Sequence, residues 1–141
     1  ENDMWNFGCS AGGPNCIILD DTNSVDFDFG GPAILVGTDA GQLLVAGQKS
    51  GDLWALDPET GALVWNQRVG EGTELGGNHW GIATDSERAF MTINDPGGMI
   101  GNSRPGLFSY FVGTGEPSWF YEAQPECNDR RSERLRRCES L

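Results

Sequence analysis

The sequence predicts an all-β fold, and two observations lead to this prediction. Short runs of β-branched and aromatic residues are separated by glycine-containing turns, and glycine makes up 21 of the 141 residues. No stretch keeps the periodicity of a helix for long. The most helix-like segment, 129–137, is expected to form a turn of helix at most. Eight strands are expected in two sets of four: 32–38, 42–48, 52–56, 62–68, 80–84, 88–94, 107–111 and 118–122.

Length and composition describe a chain that folds and does not cross a membrane. Its 141 residues suffice for one domain at most, and its 38% hydrophobic content is too high for a disordered chain. Its apolar runs are far shorter than the ~20 residues of a membrane-spanning helix. No secretion signal opens the chain, so we expect any such signal to have been removed or to lie upstream.

The charge is unevenly distributed along the chain. Residues 1–125 carry 17 acidic and 4 basic side chains, whereas residues 126–141 carry 4 acidic side chains and 5 arginines. A segment as acidic as residues 1–125 repels the phosphate backbones of nucleic acids. The arginine cluster is short, is interleaved with acids and has no aromatic partners for stacking, so we expect a solvated or internally paired loop and no nucleic-acid partner.

Four cysteines form two close pairs in sequence, Cys9 with Cys16 and Cys127 with Cys138. Neither pair has the spacing of a zinc or redox motif. Sequence alone leaves more than one connectivity open, and local disulfides closing short loops are favoured over four free thiols. Disulfides persist in oxidising compartments, so an extracellular or periplasmic location is expected.

A repeat relates the two sets of strands. Residues 60–65 read TGALVW and residues 114–119 read TGEPSW, so the pattern T-G-x-x-x-W recurs after 54 residues. Gly31 and Gly81 open the corresponding first strands, 50 residues apart. This is the length of one four-stranded propeller blade. The glycine permits a tight hairpin, and the tryptophan offers a flat face to the neighbouring blade.

The second copy of the repeat is degenerate. Phe111 and Val112 stand near the position that Asp57 has in the first copy, and residues 96–105 are inserted between the second and third strands. Four segments are therefore expected: a disulfide-bearing loop, a blade, a second and degenerate blade, and a disulfide-bearing Arg-rich loop, at 1–27, 28–70, 71–123 and 124–141.

The segment 51–65, GDLWALDPETGALVW, closely resembles the tryptophan-bearing blade motif of quinoprotein dehydrogenases, which are propellers that bind pyrroloquinoline quinone. Three further segments are more specific: 26–32 (DFDFGGP), 45–51 (VAGQKSG) and 76–81 (GGNHWG). Together they look like the polyvinyl-alcohol dehydrogenase-like branch, and the paired cysteines fit the inter-blade loops of that branch. The resemblance covers nearly the whole chain.

The resemblance implies a chemistry and a set of site residues. In such enzymes a carboxylate takes the proton of the substrate hydroxyl while a hydride passes to a quinone carbon, and a calcium ion polarises the quinone. The resemblance implies that Lys49 contacts the cofactor and that Asp28, or less favourably Asp26, is the catalytic carboxylate. His79 and Trp80 would face the same central channel as further cofactor contacts.

Each of these residues also has a structural interpretation. Lys49 has the surroundings of a turn residue, and Asp26 and Asp28 alternate with phenylalanines as in a half-buried edge strand. His79 is the one histidine of the chain, which excludes a multi-histidine metal site, and a hydrogen bond to a neighbouring blade would account for it.

Size is the main objection to an enzyme made of this chain alone. Closed propellers have four to eight blades and this chain supplies two, so Trp65 and Trp119 are both expected to lack part of their packing. The missing blades would come from the same longer chain or from other subunits. Three hypotheses follow: part of a secreted quinoprotein that oxidises a small alcohol, a non-catalytic structural or binding module, and an acidic, calcium-associated assembly component.

Overall fold

The structure is a computed structural model that describes residues 27–72, 77–94 and 104–123. All eight predicted strands are confirmed, with ends that shift by at most two residues because strand pairing begins only where a partner lies opposite. The strands are β1 (Ile34–Thr38), β2 (Gly41–Gly47), β3 (Asp52–Leu56), β4 (Leu63–Arg68), β5 (Ile82–Thr84), β6 (Arg88–Ile93), β7 (Gly106–Phe111) and β8 (Pro117–Glu122).

The strands form two four-stranded antiparallel sheets, each a simple meander in sequence order. The first sheet contains β1 to β4 and the second contains β5 to β8. Each is one propeller blade, as the repeat predicts. In the described residues there is no helix, and so none that is long and apolar enough to span a membrane.

The two blades repeat one another in backbone detail. In the first sheet the pairing of β3 with β4 shifts register between Ala55 and Leu56, and in the second sheet the shift falls between Ser109 and Tyr110, again 54 residues later. The turn that follows has the same closing backbone hydrogen bond in both blades. The amide of Gly61 donates to the Asp57 carbonyl at 2.8 Å, and the amide of Gly115 donates to the Phe111 carbonyl at 2.7 Å.

The core lies between the two sheets. It consists of side chains that point from each sheet toward the other. The first sheet contributes Val36, Val45, Leu53, Ala55 and Trp65. The second sheet and the turn after β7 contribute Ala89, Met91, Ile93, Phe108, Tyr110 and Val112. Strand alternation explains this selection, since successive side chains point to opposite faces of a sheet. The face that the first blade turns to this core corresponds, by repeat position, to the face that the second blade turns away from it.

Trp65 joins the two blades. Its side chain is 9% exposed, and its indole Nε1 donates to the Val112 carbonyl in the second blade at 2.8 Å. The ring lies against Gly115, where an added Cβ would come within 2.7 Å of ring carbon Cδ2. The expectation that Trp65 lacks part of its packing is therefore wrong, because the second blade covers it. Trp119, the repeat-related tryptophan, is 41% exposed, as that expectation requires.

Several sequence predictions fall outside the described residues. These are the cysteine pairs, the helix-like segment 129–137, the candidate Asp26 and most of the insertion between β6 and β7.

Candidate functional site

The predicted site residues that the structure describes lie at one end of the two sheets. Three segments meet there: 27–31 before β1, 48–51 in the turn between β2 and β3, and 77–81 before β5. An antiparallel meander brings the start of its first strand beside the turn that follows its second strand, as the pairing of Ile34 with Val45 shows. We call this region the site end.

Asp28 and Lys49 form an ion pair at the site end. The Lys49 Nζ lies 2.9 Å from the Asp28 Oδ1. The Lys49 side chain is only 10% exposed, whereas the Asp28 side chain is 35% exposed. Their backbones are also joined, because the Lys49 amide donates to the Asp28 carbonyl at 3.1 Å. The two residues that the resemblance paired as cationic contact and carboxylate are thus direct neighbours, and solvent reaches the pair chiefly from the carboxylate side.

Gln48 ties the two segments of this ion pair together. Its side-chain Nε2 donates to the Phe27 carbonyl at 2.8 Å, and its side-chain oxygen accepts from Ser50 Oγ at 2.8 Å. The Ser50 hydroxyl also lies 2.7 Å from the Asp52 Oδ2. Arg68 NH1 donates to that same Asp52 oxygen at 2.9 Å. The turn that carries Lys49 is therefore held by a buried polar network with a charged partner at its base.

Asn78 fastens the connection between the blades to this turn. Its side chain is fully buried, and its Nδ2 donates to the carbonyls of Gly81 at 2.7 Å and Thr92 at 3.1 Å. Its own amide donates to the Gln48 carbonyl at 3.4 Å. The packing is close because Gly77 has a φ of 65° and an added Cβ there would lie 1.9 Å from the Lys49 carbonyl oxygen. Only glycine fits at this crossing of two backbones.

His79 and Trp80 lie beside this region. They immediately precede β5, which begins at Ile82 rather than at Trp80 as predicted. Trp80 is 86% exposed, and its ring centroid lies 5.5 Å from that of His79. The main-chain oxygen of His79 faces Gly30, where a Cβ would lie 2.4 Å away. A large flat aromatic surface thus stands open to solvent at the site end.

Sequence reasoning missed Gln48, Ser50 and Asn78 as parts of this region. Gln48 and Ser50 flank Lys49 in the motif VAGQKSG, so a search for polar residues around the candidate lysine would have found them. Asn78 precedes His79, but no pattern in the sequence indicates that its side chain binds the carbonyls of Gly81 and Thr92. Among the described residues no group of three or more His, Cys, Asp or Glu side chains is placed to hold a metal ion.

No protein-family model matches this chain. A polyvinylalcohol dehydrogenase from Pseudomonas sp. is 34% identical over 125 residues, which are 87% of this chain and 19% of that protein. Over this stretch the chain is polyvinyl-alcohol dehydrogenase-like in sequence. A second polyvinylalcohol dehydrogenase, from Sphingopyxis sp. (strain 113P3), is 32% identical over 108 residues, which are 74% of this chain and 16% of that protein.

The match covers only a small part of each relative. The chain spans less than a fifth of the length of the two dehydrogenases. Among solved structures, the Cps50 (Swd1) beta-propeller domain of Myceliophteria thermophila is 12% identical with a TM-score of 0.33, over 64% of this chain and 43% of that chain, a likeness too slight to carry an argument. The family resemblance inferred from sequence is confirmed by the two dehydrogenases.

Proposed function

We propose that this chain forms part of a secreted, quinoprotein-like propeller that oxidises an alcohol by hydride transfer to pyrroloquinoline quinone. The observation that carries the proposal is the Asp28–Lys49 ion pair at 2.9 Å, in a chain 34% identical to a polyvinylalcohol dehydrogenase. Pyrroloquinoline quinone, when bound, supplies a two-electron acceptor for the hydride that leaves the alcohol carbon. The site would be completed by further blades, from a longer chain or from other subunits.

Asp28 is the proton acceptor in this proposal. Loss of a hydride from an alcohol carbon leaves a carbonyl only if the hydroxyl proton is also removed, and a carboxylate within hydrogen-bond reach can take it. Asp28 is the more accessible member of the ion pair, with 35% of its side chain exposed. Lys49 fixes the position of the carboxylate through the ion pair, while Gln48 holds the segment that carries Asp28 against the turn that carries Lys49.

The described residues fit a planar anionic cofactor better than they fit calcium. Lys49 supplies a cation, and Trp80 supplies an exposed flat ring on which a planar molecule can stack. Calcium takes six to eight oxygen ligands, and the site end offers the Asp28 carboxylate as its principal one. No step here depends on calcium, and a calcium ion would take most of its ligands from elsewhere in the complete molecule.

Quinone titration of the complete propeller that contains this chain tests the cofactor assignment. Binding is followed by quenching of tryptophan emission, and turnover by reduction of an electron-acceptor dye with a small alcohol or with polyvinyl alcohol. Lys49→Met should weaken quinone binding about tenfold or more, because a charge-assisted contact is lost. Asp28→Asn should preserve binding and abolish dye reduction. Arg88→Met is the matched control, since Arg88 forms its own 2.9 Å ion pair with Asp85 in the turn before β6.

Two results would contradict the proposal. Equal quinone affinity in Lys49→Met and in the unmodified chain would remove Lys49 from the cofactor site. Absence of quinone binding in an assembly of complete propeller size would favour the alternative, a non-catalytic structural or binding module of an extracellular assembly. The observation that favours this alternative is that Lys49 is 8% exposed and already paired, as a purely structural turn residue would be.

A further inference from the structure

Each sheet has an inner face, which packs in the core, and an outer face, which points away from the other sheet. By repeat position, the outer face of one sheet corresponds to the inner face of the other. In the second sheet, the row of paired residues Ala89 and Tyr110 is buried against the first sheet, at 0% and 8% exposure. The corresponding row of the first sheet lies on the side away from the second sheet. It crosses all four strands as Leu35, Leu44, Leu56 and Leu63. Its two end residues, Leu35 and Leu63, are 53% and 56% exposed.

The tryptophan motif shows the same complementarity. Trp65 fills the space over Gly115, where an added Cβ would collide with the ring. Gly61 is the counterpart of Gly115, with a φ of 70° against 74°, and an added Cβ there would meet nothing within 4 Å. Trp119, the counterpart of Trp65, is 41% exposed and rests against Phe90 with ring centroids 5.9 Å apart. One chain thus carries an uncovered tryptophan on one outer face and an unfilled glycine turn on the other.

We propose that these two outer faces bind each other between two copies of this chain, head to tail. The second sheet of one copy would take the first sheet of the next as its neighbour, with Trp119 over Gly61 and its indole nitrogen directed at the Pro58 carbonyl, the counterpart of Val112. The contact would reproduce the interface that already exists within the chain. It is heterologous, so it closes into a ring when the rotation permits.

Charge opposes this association and supplies a further check on it. The chain carries a formal net charge of −12, so copies repel one another at low ionic strength. Salt screens this repulsion over distances of about 10 Å at 0.1 M, whereas it does not weaken apolar contacts. Association through the leucine row and Trp119 should therefore strengthen as salt is added. This inference is independent of quinone binding.

Sedimentation of the purified 141-residue chain over a range of concentrations tests the proposal, with two variants that each damage one face. Trp119→Ala removes the projecting ring, and Leu63→Glu places a charge in the leucine row. Both positions are exposed, so the core between the sheets is untouched, and circular dichroism checks the fold. Each variant alone should associate at least about tenfold more weakly than the unmodified chain. The controls are Trp80→Ala, at the most exposed of the tryptophans that the structure describes, and Ala40→Glu, in the exposed β1–β2 turn.

Mixing the two variants gives the sharpest test. Trp119→Ala keeps an intact first-sheet face, and Leu63→Glu keeps an intact second-sheet face, so an equimolar mixture should form a one-to-one dimer and nothing larger. Self-association of either variant at unmodified strength would overturn the proposal. A folded chain that stays monomeric at high concentration and salt would also overturn it, and would leave both faces to units of a longer polypeptide. Failure of quinone binding would leave the sedimentation result unchanged, so the two proposals are tested separately.

Discussion

The two blades have the same strand order, the same register shift and the same turn, but they differ in what covers the motif tryptophan. Trp65 is buried, with its indole nitrogen bonded to the Val112 carbonyl, whereas Trp119 is 41% exposed and contacts Phe90 of its own sheet. The motif therefore determines the turn and the direction of the tryptophan. Its burial depends on whether another sheet lies against that face.

The turns provide a second comparison. In the first blade the Asp57 carboxylate accepts from the amides of Glu59 at 2.8 Å and Thr60 at 2.9 Å. In the second blade Phe111 occupies this position and offers no such acceptor, yet its backbone accepts from Gly115 as Asp57 does from Gly61. The backbone conformation thus forms without the carboxylate, whose bonds add to a turn that glycine already permits.

The largest expected difference between the blades concerns the two tryptophans. Trp65→Ala should lower the free energy of unfolding by about 3–5 kcal/mol, because it leaves a cavity between the sheets and an unpaired Val112 carbonyl. Trp119→Ala should cost about 1 kcal/mol, the scale of one exposed aromatic contact. Urea denaturation of both variants, at a concentration where the chain is monomeric, measures the difference. Equal losses would show that Trp119 is already covered.

The two turn glycines should differ by a smaller amount. Both have positive φ, so alanine at either position is strained by about 1–2 kcal/mol. Gly115→Ala should cost about 1–3 kcal/mol beyond that, since its Cβ would press into the Trp65 ring, while Gly61→Ala meets open space. Thermal unfolding of the pair measures this excess. In the double variant Trp65→Ala, Gly115→Ala the excess should vanish, and its persistence would mean that strain other than the ring contact is responsible.

The loss of stability at acid pH should report on the Asp57 carboxylate, in the turn between β3 and β4. The amides of Thr60 and then Glu59 hold the pKa of Asp57 below its ordinary value of 3.8. A carboxyl whose pKa is lower in the folded chain stabilises above its unfolded pKa, and that contribution is lost as the pH falls below 3.8 through the folded value. Asp57→Ala should therefore be less stable than the unmodified chain at neutral pH, and the gap should narrow in acid. A gap that is constant with pH would assign the loss to packing.

The smallest effect is expected for Tyr110, on the stability of the chain at alkaline pH. Burial raises the pKa of Tyr110 above its ordinary value of 10.0, because the ionised form is poorly solvated between the sheets. Its neutral form is favoured by folding, so this contribution is complete below pH 10.0 and declines as the pH rises above it. Tyr110→Phe should flatten the alkaline fall in melting temperature. Tyr121→Phe, at the other tyrosine and 65% exposed, is the control, and an equal flattening there would contradict the assignment.

Much of this fold was predictable because local sequence carries it. The eight strands follow from period-two alternation between glycine turns, and the repeated T-G-x-x-x-W motif locates equivalent turns in both blades. Lys49 and Asp28 were predicted as site residues through family resemblance, and their ion pair was not foreseen, since 21 residues separate them. The roles of Gln48 and Asn78 were likewise missed, because an amide side chain has no periodicity that reveals which distant carbonyl it binds.

The sequence by itself determined the all-β class, the two-blade repeat and the family resemblance, since each depends on residue order and spacing within about 50 residues. Only the tertiary structure decided which tryptophan is buried, which glycine turn is open and which charges meet. Those outcomes depend on how one sheet lies on another. The same motif has different surroundings at Trp65 and Trp119 because, among the described residues, only Trp65 has a neighbouring blade over its face.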